Sequence, residues 1–338
     1  MNNNSINSIA RWVFLLITFM TLWYLNDVLK VKDEHGTKQT LALYYQPSNS
    51  IDVAMLGSSH IHCDIDPGIL WTEYGIASYD FSAAEQPLWI TYHYLIEFCK
   101  YQNPQVIVLD LYSAAKRKED YQYDWIRPNI HGLRFSVNKL QMLWVSVERN
   151  RLRDYFPDFV YYHDRIGKLT EDDWLYPFRA PDELCAFKGY TPYFNDEEQE
   201  EPDLAQVHSG GLTAKQEIYL QKIITYTQQH NIELFLIVTP YITNDQDELV
   251  FNRIREIAEM NGLDFNSTNY DYDGIGLDFE TDFNDGSHLN YRGAEKFSAY
   301  LGKELKSRFD LPDRRGDARY ESWEINSSLT EKYIKENS

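Results

Sequence analysis

Three short runs, residues 51–56 (IDVAML), 106–110 (VIVLD) and 232–239 (IELFLIVT), constrain the fold of this chain most. They are too short for core helices and too continuously apolar for strands with one wet face, so they read as strands covered on both sides. Residues 67–74 and 88–101 have helical periodicity, and a further short strand, 77–81, lies between them, followed by a loop at 82–87. Asn103-Pro104 stops the second helix. The alternation resumes with helices at 214–229, 248–260 and 293–309. Strands alternating with helices specify a parallel α/β sheet, here expected as a three-layer sandwich.

The stretch from about 116 to 211 breaks this alternation with aromatic and acidic clusters. It is expected to be a partly helical insertion that caps the carboxyl edge of the sheet. Its acidic run at 196–201 reads as a solvated loop. The α/β domain is expected over 31–309, starting with a polar stalk near 30–40, and residues 310–338 as a polar, poorly packed tail.

Residues 12–25 (WVFLLITFMTLWYL) carry no formal charge and, with Ile9, Ala10, Val28 and Leu29, approach the length of a bilayer-crossing helix. Residues 1–30 are therefore expected to form a single-pass anchor in the cell membrane. Arg11 precedes the run and charges of mixed sign follow it, so the positive-inside rule leaves the rest extracytoplasmic. A cleaved signal peptide is the rival reading, but no small-x-small site follows the run.

The formal net charge of −20 opposes a sequence-independent grip on nucleic acid, which needs clustered Lys and Arg. A glycan or another protein fits better, and 26 tyrosines and 8 tryptophans offer faces on which sugars stack. Cys63, Cys99 and Cys185 make neither a metal spacing nor an even disulfide set.

In an open α/β sheet, residues just after strands face the ligand crevice. Gly57-Ser58-Ser59 occupies that place after the first strand. A serine hydroxyl needs an adjacent base, and the base an orienting acceptor. Asp285-Gly-Ser-His288, in a turn-rich loop before the last long helix, offers both within three residues. His60, His62, Asp64 and Asp66 could form a metal cluster if the segment were extended, but they read better as rim and helix-cap residues. No metal or cofactor is expected. Arg127, Asn129 and His131 in the insertion are alternatives for binding an acceptor.

These two elements together resemble the SGNH/GDSL hydrolase superfamily, which has a flavodoxin-like α/β fold. The resemblance spans about 51–309 and is closest to the anchored branch that includes the D-alanyl-lipoteichoic acid protein DltD and the alginate and peptidoglycan O-acetylation proteins. It implies Ser59 as nucleophile, Asp285 as orienting acid and His288 as general base. Ser58 is the alternative nucleophile, with Ser59 favoured by alignment of the glycine-x-serine turn. The family's second and third blocks supply a glycine and an asparagine to the oxyanion hole, whereas this chain has Asp80–Pro87 without glycine and Asp110–Ser113 without asparagine. The Ser59 N–H is the first donor in this reading. Gln86 and the loop near Ser82 are helpers, and His60 is a substrate contact. The resemblance implies an extracytoplasmic O-acyltransferase acting on a polysaccharide acceptor alongside a membrane-bound O-acyltransferase. A carbohydrate esterase with the same triad and a non-catalytic glycan-binding accessory are the alternatives.

Overall fold

The computed structural model describes residues 3–32, 35–116, 120–121, 123, 125–155, 157–178, 186–204 and 211–338. Its centre is one five-stranded sheet built from β1 (Val53–Leu56), β2 (Ser78–Asp80), β3 (Val106–Asp110), β4 (Glu233–Val238) and β5 (Phe265–Ser267). All neighbours are parallel, in the order β2-β1-β3-β4-β5. Val53 lies opposite Val106, and Val106 opposite Glu233, so paired positions, and every second residue from them, share a face across the three central strands. Ala54, Leu56, Ile107, Leu109, Leu234 and Leu236 enter one core, which includes residues of the helices Leu88–Phe98 and Ala214–His230. Val53, Met55, Val106, Val108, Phe235 and Ile237 enter another, with the helices Pro67–Tyr74 and Tyr291–Arg308. Helices on both faces explain why the three central strands are almost continuously apolar.

The sequence-derived helices agree with the structure to within a few residues at their ends. Elements that were not anticipated include β5, the helix Ser59–Asp64 directly after the Gly57-Ser58 turn, and the helix Thr37–Leu43. The last of these corrects the polar stalk. Thr37, Gln39 and Thr40 are fully buried, with Gln39 Nε2 donating to the Gly189 carbonyl and Thr40 Oγ1 to the Gly36 carbonyl.

The expected loose tail is also corrected. Residues Glu321–Asn337 form a helix that buries Trp323, whose Nε1 donates to the Ser78 carbonyl at 3.0 Å. Trp71 Nε1 donates in turn to Glu324, and the two indoles lie 6.4 Å apart. One apolar stripe is enough to dock a helix whose composition is otherwise polar.

The insertion behaves in two ways. Its helix Val137–Ser146 packs on Leu88–Phe98, while Asp158–Tyr162 and Glu171–Leu175 pack on the N-terminal helix Asn3–Leu29, away from the expected cap position. Among the described residues its extended end runs beside the carboxyl edge, where Thr191 N–H donates to the His62 carbonyl and Glu197 N–H to the Phe283 carbonyl, and Asn129 reaches the Ala84 carbonyl in the loop after β2. Within the N-terminal helix, Asn7–Leu29 is long and apolar enough to cross a membrane. Its last turn is no free anchor, because Val28, Leu29 and Lys30 are buried against the domain.

Candidate active site

β1 has β2 on one side and β3 on the other, so the crevice at its carboxyl end is the switch point where α/β sheets bind ligands. Gly57 makes the turn there. A Cβ at this position would stand 2.9 Å from Asp110 Cβ, which admits only glycine so near β3. Ser58 caps the short helix and Ser59 opens it, so the Ser59 N–H has no acceptor within the helix. Asp110 braces the turn by accepting from the Thr239 and Tyr112 N–H groups, and its Oδ2 lies 3.5 Å from Ser58 Oγ. Burial raises the Asp110 carboxyl to about 6, despite the hydrogen bonds from Thr239 and Tyr112. Ser58 is thus tied to the scaffold, whereas Ser59 faces the loop from the far end of the chain.

That loop is held from both sides. Asn290 caps the helix Tyr291–Arg308 by accepting from the Arg292 and Gly293 N–H groups, and Leu289 N–H donates to buried Asp64 at 3.0 Å. Asp285 Oδ1 accepts from the Ser287 and His288 N–H groups at 2.8 and 3.0 Å, which closes the turn. The imidazole of His288 then stands between two partners: Nε2 is 2.8 Å from Ser59 Oγ, and Nδ1 is 3.2 and 3.3 Å from the Asp285 oxygens. The neutral tautomer protonated on Nδ1 satisfies both contacts. Burial opposes the Asp285 charge, but the His288 hydrogen bond and its charge, with the Ser287 N–H, outweigh it and hold the carboxyl below the usual range. Ser59 keeps 9 % of its surface exposed, whereas Ser58 keeps 1 %. Tyr193 sets its ring edge-on to His288 at 5.5 Å, and Tyr112 OH donates to Ser287 Oγ.

Ser82, Gln86 and His60, the expected helpers, are all fully buried. Ser82 Oγ is engaged with His62 Nδ1 at 2.8 Å. Both amide atoms of Gln86 lack a hydrogen-bond partner among the described residues, as an oxyanion or substrate contact would. His60 stacks on Tyr112 at 3.5 Å and lies 4.8 Å from the His288 ring. Burial, followed by the nearby His288, pushes its pKa well down, so it stays neutral. It therefore supports the base from behind and does not line an open subsite.

The structure also corrects the expectation of rim residues at 60–64, and the segment is not extended as the metal-cluster alternative would need. The segment is helical, so His60 faces Tyr112 while His62 turns toward Ser82 and His35, with His35 Nδ1 at 3.1 Å. His62, Asp64 and Cys63 are buried, not rim residues, and only Asp66 acts as a helix cap, accepting from Gly68 N–H. Donor atoms of His35, His62 and Cys63 lie within 4.8 Å of one another, a juxtaposition that spacing did not reveal. Burial holds the Cys63 thiol well above its ordinary pKa. Cys99 is also free, and Cys185 lies outside the described residues. Arg127, Asn129 and His131 are used internally: Arg127 stacks on Tyr161, Asn129 Nδ2 donates to the Ala84 carbonyl, and His131 contacts Tyr162 OH.

No family model matches the chain, and no curated protein matches it.

Proposed function

We propose that the protein is a membrane-anchored, extracytoplasmic O-acyltransferase of SGNH type that acylates a cell-envelope or exported polysaccharide through an acyl-serine intermediate. The observation that carries this reading is the continuous line from Ser59 Oγ through His288 to Asp285, with contacts of 2.8 and 3.2 Å. A hydroxyl, a base and an orienting carboxylate in hydrogen-bond contact are the parts that acyl transfer by serine requires.

His288 Nε2 takes the Ser59 proton as Oγ attacks the ester carbonyl. The resulting oxyanion is met by the Ser59 N–H, with the unpartnered Gln86 amide in the loop after β2 as the expected second donor. Collapse expels the donor alkoxide, which leaves with the proton held on His288, and Ser59 keeps the acyl group. A sugar hydroxyl then gives its proton to His288 and attacks the acyl-serine, and Ser59 Oγ departs with that proton. Asp285 holds the imidazole in one tautomer throughout and balances its transient charge. The anchor keeps this chemistry at the membrane surface, beside a membrane-bound O-acyltransferase able to supply acyl groups. Acetyl is the expected group.

The test uses the full-length protein in mild detergent with an activated acetyl ester, with and without an oligosaccharide acceptor. Acyl gain by the acceptor is expected for wild type and should fall by about 10³-fold or more in Ser59→Ala and His288→Ala. Free acid alone, with the same dependence, would make the protein an esterase. Equal behaviour of all three proteins would sink the triad and leave a glycan-binding accessory.

A further inference from the structure

The N-terminal helix is exposed from residue 7 to residue 23 and increasingly buried from Tyr24 onward. At 1.5 Å per residue the exposed stretch covers about 25 Å, close to the ~30 Å hydrocarbon thickness of a bilayer. The headgroup layer then falls near Trp23 and Tyr24. At that level the insertion gathers aromatic rings around the helix: Phe135 meets Trp23 at 6.0 Å, and Trp174 and Phe178 meet Tyr24 at 6.3 and 5.8 Å. Phe178 remains 79 % exposed and Phe135 49 %. Aromatic rings left open at this height match the belt that membrane proteins place at the interface.

Between the helix and the insertion lies a cavity of about 590 Å³. Phe19, Leu22 and Trp23 line its helix side, and Phe19 lies one turn toward the membrane from Trp23, so the cavity reaches the hydrocarbon level. Its inner lining is polar. Asp158, 2 % exposed, is shared by Lys139 at 3.3 Å and Lys30 at 3.5 Å. Arg134 also lines the cavity, with its guanidinium 4.2 Å over the Tyr44 ring and no carboxylate partner among the described residues. An apolar wall continuous with a membrane helix, opposite a guanidinium with no counter-ion, fits an acyl chain joined to a phosphate.

We propose that this cavity binds a membrane phospholipid, with the phosphate on Arg134 and the start of one acyl chain along Phe19 and Leu22. None of its lining residues belongs to the Ser59 site, so the lipid is a structural partner that sets the height of the domain over the bilayer. The inference rests on the membrane-anchored part of the proposed function and is independent of the acyl transfer.

Native mass spectrometry of the full-length, delipidated protein in detergent tests it with three probes: dioleoyl phosphatidylglycerol, dioleoylglycerol and inorganic phosphate. Wild type should retain one phosphatidylglycerol at least tenfold more tightly than dioleoylglycerol. Arg134→Ala should lose that preference, Arg134→Lys should regain part of it, and Arg153→Ala, an exposed arginine of the same insertion, should keep it. Equal retention of the two lipids, or full retention by a folded Arg134→Ala protein, overturns the proposal. So does phosphate binding that needs Arg134 when no lipid is held. Release of the protein from membranes by alkaline carbonate would instead refute the anchor, and a lost Ser59-dependent ester signal concerns the catalytic reading alone.

Discussion

Asp285 makes four kinds of contact: to the His288 ring, to the His288 and Ser287 N–H groups, and to the Asn284 amide. Replacement by asparagine keeps the shape of the turn but places an amide where an acceptor is needed, so His288 is driven toward the wrong tautomer. Asp285→Asn is expected to lower kcat by about 10³–10⁴-fold with little change in KM, measured on the activated ester. Ser59, Asp285 and His288 were legible in the sequence because glycine-serine turns and Asp-x-x-His loops carry their chemistry within a few residues. The place of His60, expected as a substrate contact, was not legible, because no local pattern marks the short helix that carries it. One turn of helix moved it behind His288 and aimed His62 at a histidine 27 positions away.

Between elements, the buried Asp158 ties the end of the N-terminal helix to the helix Val137–Ser146 through Lys30 and Lys139, with His131 at 3.5 Å. Burial works against the Asp158 charge, but Lys139, Lys30 and His131 together hold its carboxyl at about 2. Burial brings Lys139 down to about 8, so this lysine needs the Asp158 charge to stay protonated. The folded Asp158 value lies below the ~3.9 of an unfolded aspartate, so its contribution is complete above pH ~4 and is lost as pH falls toward 2. Asp158→Asn should cost about 3–5 kcal/mol at pH 7, because it leaves the buried Lys139 without its carboxylate, whereas Lys30 keeps Asp27 at 3.0 Å. Denaturant unfolding of wild type and variant should show that gap narrowing between pH 4 and pH 2. A gap independent of pH would assign the effect to packing alone.

At the scale of the whole molecule, the N-terminal helix is tied directly to the domain, since its end, Val28–Leu29, and the following Lys30 are buried in the protein. Removing residues 1–23 should leave stability nearly unchanged, because residues 7–23 are exposed. Removing residues 1–30 should lower Tm by several degrees and expose apolar surface, because Val28, Leu29 and the Lys30–Asp158 contact go with it. Thermal unfolding of the two truncations in detergent-free buffer makes the comparison. Equal melting points would mean that the final turn of the helix merely rests on the domain.

The amino-acid sequence by itself specified the alternating strands and helices, a segment long and apolar enough to cross a membrane, and the order of Ser59, Asp285 and His288 in the candidate site. Each of these is written in local periodicity or turn chemistry, over which neighbours within a few positions decide. The tertiary structure alone decided that a polar C-terminus docks through Trp323, that Thr37, Gln39 and Thr40 are interior, and that the insertion leans on the membrane helix. Those outcomes depend on partners far away in the chain, such as Ser78 for Trp323 and Gly189 for Gln39. Polar groups are buried only where such partners satisfy them, and no local pattern announces a hydrogen bond that spans 150 or more residues.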